Sequence, residues 1–307
     1  MRYSNIVIQL LAIFAFLFVA LKINAQDQNT TPSLLRIADR YWMQPDVVYG
    51  SANNTPLKLD IWYPRDNNTP TPTLVFIHGG GWIFGSKEGS VYQLLPYLER
   101  GWRVVNVEYR MASNSLAPGA VEDTRCALRW IFRNAKQWNF DTSKIVLTGQ
   151  SAGGHLSLIT GMLPDGTPLD NRCYADAKYG DVPMKVAAIV NWYGIADVND
   201  LIQGPNLKNY AVMWMGSMSN AAEVARSVSP LTYVRAGLPP IITIHGDKDD
   251  VVPYTQATRL KTALDKVNVT NKLVTIPGGG HGMFSQDQYV TAFDEIWKFL
   301  RDNKVAQ

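Results

Sequence analysis

The chain has 307 residues, 46% of them hydrophobic, and a formal net charge of +3 from 29 basic and 26 acidic side chains. That is enough apolar material for one sizeable α/β domain with a full core. The basic residues are scattered rather than interleaved with aromatics in a run, which argues against a nucleic-acid partner.

The N-terminus reads as a targeting segment. Arg2 precedes an apolar run, Ile6–Leu21, which leads to Ile23-Asn24-Ala25. This is the order of a basic region, a hydrophobic region and a small residue at a cleavage site. The run is shorter than the roughly 20 apolar residues a membrane span needs. Cleavage after Ala25 is therefore expected, leaving residues 26–307 as one secreted or periplasmic domain with no stable span.

After a polar stretch from Gln26 to Pro32, "VVYG" and the alternating "PLKLDIWYP" read as a strand hairpin. "TLVFIHGGGW" is an apolar strand running into a glycine loop. A helix over 89–100, the strand "WRVVNVEYR", a helix over 121–139 and a strand over 144–148 follow. Beyond Ser151 lie a helix, the strands "KVAAIVNWYG" and "PPIITIHGD", a helix over 254–267, the strand "NKLVTIPGGGH" and a helix over 289–303. Strands alternating with helices imply right-handed crossovers and a mostly parallel sheet covered on both faces. Ligands of such sheets bind outside the carboxyl ends of the strands.

The stretch over about 194–239 breaks this rhythm. It is rich in Met, Trp and Tyr and reads as a small cap, with Tyr210 and Trp214 expected to wall a substrate pocket together with Trp82. Of the two cysteines, Cys126 lies in an amphipathic helix, where a buried free thiol is the commoner state. Cys173 lies in a polar loop, and export leaves a disulfide between them open.

The chemistry centres on "KIVLTGQSAGGH", where a strand becomes a helix within a few residues. So sharp a corner excludes bulk two positions either side of Ser151, and Gly149 and Gly153 supply none. A hydroxyl held out at a strand's end suits a nucleophile, but a serine needs a base, an acid and an anion site. Of the four histidines, His155 follows Ser151 by one helical turn and is expected to pack. His78, His245 and His281 sit on loops after strands, and His281, with glycines on both sides, is the best base by elimination. "HGDKDDVVP" offers Asp247, Asp249 and Asp250 as the acid: Asp247 is placed to tie the turn, and Asp249 precedes the apolar Val251-Val252. The amide of Ala152 and those of Gly80 and Gly81 are the expected oxyanion donors, with Trp82 a further candidate. "GGWIFGSK" departs from a phosphate loop, and no HExxH or paired Cys/His spacing suggests a metal, so neither metal nor cofactor is expected.

Together these residues resemble the α/β-hydrolase superfamily from "LDIWYP" to the last helix. Gly149-Gln150-Ser151-Ala152-Gly153 matches its G-x-S-x-G nucleophile elbow, and "HGGGW" the oxyanion motif of its esterase and lipase branch. "HGDKDDVVP" resembles its HGxxDxxVP acid loop, which implies Asp249 as the acid and His281 as the base, in the order Ser, Asp, His. "HGGGW", "EYR" and "GQSAGGH" are most similar to small secreted esterases, the group that includes feruloyl and acetylxylan esterases. The resemblance implies acyl transfer from a small-molecule or carbohydrate-linked ester. Serine peptidases of the prolyl-oligopeptidase type and arylformamidases share parts of the pattern. The former usually carry a large β-rich domain, and the latter are mostly intracellular. Intact triad positions argue against a binding-only role.

Overall fold

The computed structural model describes residues 33–66, 68–175 and 182–307. The apolar N-terminal run and the cleavage site after Ala25 lie outside them. The chain divides at Arg40 into two units; the described part of the first is helix α1 (Ser33–Arg40), taken by itself. Among the described residues no helix is long and apolar enough to cross a membrane.

The unit from Tyr41 onward is built on eight strands: β1 (Tyr41–Ala52), β2 (Thr55–Pro64), β3 (Thr71–Ile77), β4 (Arg103–Val107), β5 (Phe140–Gln150), β6 (Ala188–Trp192), β7 (Ile241–Gly246) and β8 (Asn271–Ile276). They form one sheet in the order β1-β2-β4-β3-β5-β6-β7-β8. The β1–β2 hairpin and the β2–β4 pairing are antiparallel, and every pairing from β4 to β8 is parallel. The fold is thus the mostly parallel α/β sheet that the sequence implies.

Side chains alternate across a strand, and each face of the sheet has its own cover. Val75, Ile77, Ile145, Leu147 and Ile189 share one core with Leu128 and Ile131 of α3 (Gly119–Arg133) and Leu156 and Ile159 of α4 (Ala152–Met162). Phe76, Thr148 and Trp192 face α2 (Val91–Leu98) and the last helix. The helix expected over 121–139 is interrupted: α3 ends at Arg133, and a short turn, Ala135–Trp138, resumes after Asn134. The segment between β6 and β7 carries α5 (Asn209–Met215) and α6 (Ala221–Ser227). Then follow α7 (Thr255–Lys266) and α8 (Gln286–Asp302).

Cys126 and Cys173 are bonded to each other, tying α3 to the segment between α4 and β6. The favoured reading of Cys126 as a free thiol is corrected. Helical periodicity shows that a residue is half-buried but not what lies 47 positions away in sequence.

Candidate active site

The elbow forms because three chain segments meet where no side chain fits. A Cβ on Gly149 would lie 2.3 Å from the carbonyl oxygen of Ile77, at the end of β3, and 2.5 Å from the carbonyl of Gly153. Ser151 itself takes φ 56° and ψ −119°, a sparsely populated conformation for an L-residue. It persists because the Ser151 amide donates to the carbonyl of Trp192 (2.9 Å) and the Ser151 carbonyl accepts from the amide of His155 (2.9 Å). Trp82 (φ 61°) and Tyr193 (φ 38°) are also left-handed. Strained residues therefore gather beyond the carboxyl ends of β3, β5 and β6, where backbone strain commonly marks a working site.

Ser151 and His281 line one cavity of about 520 Å³, together with His78, Gly80, Gly81, Gln150, Tyr193, Tyr210 and Val251. His281 lies on the glycine loop after β8, and its position is fixed from two sides. The Lys248 amide donates to the carbonyl of Gly279 (2.9 Å), and α8 starts at Ser285 in a reciprocal capping box with Gln288.

Nδ1 of His281 lies 2.8 Å from Oδ2 of Asp249. Oδ1 of Asp249 accepts from the amides of Val251 (2.9 Å) and Val252 (2.8 Å). Burial alone would push this carboxyl up. Hydrogen bonds from His245 and His281, the facing His281 charge and the Val252 amide outweigh it and hold Asp249 well below the usual carboxylate range. An ionised carboxylate only accepts, so Nδ1 of His281 carries the hydrogen that it shares with Asp249. Of the other two acids of the loop, the Asp247 carboxylate accepts from the Gly278 amide (2.7 Å), and Asp250 is exposed, its backbone carbonyl accepting from the Lys208 ammonium (2.6 Å).

Ala152 is the first residue of α4, whose leading amides have no intrahelical acceptor. Gly80 stands at φ 115°, and a Cβ there would meet the Phe84 carbonyl oxygen at 1.9 Å. Only glycine fits this turn, and the loop lies against the elbow at Gly79, where a Cβ would meet the Gln150 carbonyl oxygen at 2.8 Å.

The pocket expectations divide. Tyr210, on α5, lines the cavity and donates its hydroxyl to the Val251 carbonyl (3.1 Å). Trp82 and Trp214 do not line it. Both are fully buried and stacked on each other at 4.2 Å. Nε1 of Trp82 donates to Nδ1 of His155 (3.2 Å), whose Nε2 donates to the Val228 carbonyl (2.7 Å). His155 therefore packs, and burial pushes it down to about 4, the Val228 bond only partly opposing. The two indoles are core beneath the glycine loop, because a ring shielded from water by a second indole and an imidazole has no exposed face left.

Tyr193 was not singled out from the sequence. Its ring stands 4.7 Å from that of His281, and burial, with the charge of Asp249 adding, pushes its phenol up so that it stays neutral. Its place directly after a strand, before Gly194, is the signal that marks such a position. Gln93 and Gln150 were missed too. Both line the main cavity and also a second one of about 250 Å³, walled by Phe76, Tyr97, Trp192, Tyr289 and Phe293.

The BD-FAE family model matches residues 59–264. Esterase LipC of Mycobacterium tuberculosis is 32% identical over 251 residues, which are 79% of this chain and 60% of that protein. The chain thus spans less than two thirds of that relative. Esterase 2 of Thermogutta terrifontis, in a structure phosphorylated by paraoxon, superposes with a TM-score of 0.69 at 28% identity, covering 85% of this chain and 94% of that one. A truncated carbohydrate esterase from gut microbiota gives 0.70 at 26% identity, covering 86% and 97%.

Proposed function

Because the chain belongs to the BD-FAE family, in the esterase branch of the α/β hydrolases, we propose that it hydrolyses carboxylic esters through an acyl-enzyme on Ser151. The observation that carries this reading is the His281–Asp249 pair at 2.8 Å, with His281 and Ser151 lining the same cavity. His281 Nε2 takes the proton of Ser151 as its oxygen attacks the ester carbonyl. Asp249 holds the tautomer and stabilises the imidazolium. The amides of Ala152, Gly80 and Gly81 receive the oxyanion, the alcohol leaves with the proton from His281, and water then repeats the cycle on the acyl-enzyme.

The second cavity favours an acyl group longer than acetyl. Its aromatic walls, reached past Gln93 and Gln150, support the feruloyl side of the acetyl or feruloyl reading, with a carbohydrate-linked ester as substrate. If so, Gln93→Phe, which narrows the entry, lowers turnover of a ferulate ester far more than that of an acetate ester. Export belongs to the same proposal. It rests on the N-terminal pattern ending at Ala25, and the Cys126–Cys173 disulfide supports an oxidising compartment. N-terminal sequencing of protein recovered outside the cytoplasm then begins at Gln26.

The test of the reaction class compares a chromogenic acetate ester with the matching acetanilide, in wild type and Ser151→Ala. Rapid ester cleavage that needs Ser151, with little on the anilide, is expected. Equal cleavage of the anilide would replace the esterase reading with an amidase or peptidase, and silence on both would remove it.

A further inference from the structure

Asp249 is shared by two histidines. Besides His281 at 2.8 Å, its Oδ2 lies 3.2 Å from Nε2 of His245, the penultimate residue of β7. The same Nε2 lies 2.9 Å from the carbonyl oxygen of Val252. Both neighbours are acceptors, so Nε2 must carry a hydrogen, split between them. Nδ1 of His245 is buried and has no hydrogen-bond partner among the described residues. A second proton there would be an N–H without an acceptor, in a site where the ring is fully buried. The Nε2 hydrogen is thus shared between the Val252 carbonyl and the acid. The titratable groups around it are Asp249 ahead, His281 beyond that carboxylate, Tyr193 after β6 and Tyr254 before α7, the last two edge-on at 6.4 and 5.6 Å.

We propose that His245 is a positioning residue for the hydrolytic reaction, pinning the Asp249 carboxylate from behind so that Oδ2 presents its remaining lone pair to His281. This inference rests on the proposed hydrolysis at Ser151. Two backbone amides fix Oδ1 and two imidazoles fix Oδ2, leaving the carboxylate no free rotation. Such a group needs no reorganisation when His281 becomes charged, which is where preorganised electrostatics save barrier. The His245 hydrogen also withdraws charge from Oδ2. Without it, a more charge-dense carboxylate would hold the His281 imidazolium proton more tightly.

The experiment measures kcat, KM and the pH profile of kcat/KM on the chromogenic acetate for wild type, His245→Phe, His245→Gln and His245→Asn. Rates are normalised to sites titrated with paraoxon. Phenylalanine keeps the ring and loses the donor, and a hydrogen bond to a charged group of this kind corresponds to a loss of about ten- to hundredfold. The loss is expected in kcat with KM little changed, and the acid limb of kcat/KM moves to higher pH. Glutamine, whose amide nitrogen reaches the place of Nε2, recovers most of the rate and returns the limb, whereas asparagine, whose amide falls short, does not. Should the phenylalanine variant fail to fold, the glutamine–asparagine contrast carries the test. An unchanged rate and limb in the phenylalanine variant overturns the proposal. So does a rate loss with an unmoved limb that glutamine does not rescue, since that is packing alone. If wild type itself shows no Ser151-dependent ester cleavage, the proposed function fails instead, a result distinct from either.

Discussion

Replacing Gly153 with alanine sets local preference against tertiary structure. Gly153 is the second residue of α4, and glycine to alanine inside a helix ordinarily adds up to ~1 kcal/mol of stability. Here the new Cβ would lie 2.0 Å from the Ile77 carbonyl oxygen and 2.6 Å from that of His78. Both are backbone atoms of the β3 exit, which cannot swing aside as a side-chain tip can. Overpacking by one carbon typically costs about 1–3 kcal/mol, and an overlap this deep with backbone belongs at the top of that range. The net effect is a destabilisation of about 2 kcal/mol or more, a fall in Tm on the order of 5 °C. Relief of the clash must also push the elbow away from the loop carrying Gly80 and Gly81, and a misplacement near 1 Å costs about a hundredfold in rate. Gly161→Ala is the internal control, because the nearest atoms to its Cβ belong to the Ile189 and Leu147 side chains, at 2.7 and 3.1 Å, rather than to backbone. Thermal melts and kcat on the chromogenic acetate are measured on both. A Gly153→Ala protein as stable and as fast as wild type would refute the argument that glycine is imposed here by close approach.

Asp249→Asn should lower kcat by about 10⁴-fold by favouring the wrong His281 tautomer, whereas Asp250→Asn should stay within severalfold; steady-state rates decide. His155 supplies a pH dependence. Its folded value of about 4 lies below the ordinary 6.5, so between those values the unfolded chain binds the extra proton and stability falls as pH drops. The span corresponds to about 3 kcal/mol, and urea melts at pH 7 and 4 should show the acid loss shrinking by that order in His155→Phe. Pairwise replacement of Cys126 and Cys173 by alanine opens a loop of 47 residues, worth about 4 kcal/mol in the chain-entropy account, and a thermal melt should fall accordingly.

What the sequence made legible was the chemistry tied to local backbone constraint. Gly149 and Gly153 around Ser151 announce a corner, because only a corner excludes both side chains. The run of His78 to Gly81 after a strand likewise announces a loop whose backbone is its working part. Asp247 could be set aside because a residue at a strand exit ties turns, and it does bond the Gly278 amide. What stayed hidden depends on contacts distant in sequence. Tyr210 and Trp214 lie one helical turn apart on α5 with similar chemistry, yet one meets the cavity and the other the ring of Trp82. Nothing local distinguishes them. The cysteine pair illustrates the same limit, since a Cα separation of 5.1 Å arises only once α3 and the later segment are packed. His245 offered itself as a possible base because it ends a strand; only the positions of Asp249 and Val252 turn it into a buried donor.

The central claim, that Ser151 is the nucleophile, is tested most directly by stoichiometric labelling. The purified protein is treated with paraoxon, and intact mass, peptide mapping and residual ester cleavage are followed together. One diethylphosphoryl group per chain on the peptide containing Ser151, with activity lost in proportion and no label on Ser151→Ala, is the predicted result. Label on another residue, or a Ser151→Ala protein that keeps more than about a tenth of the ester turnover, would contradict it.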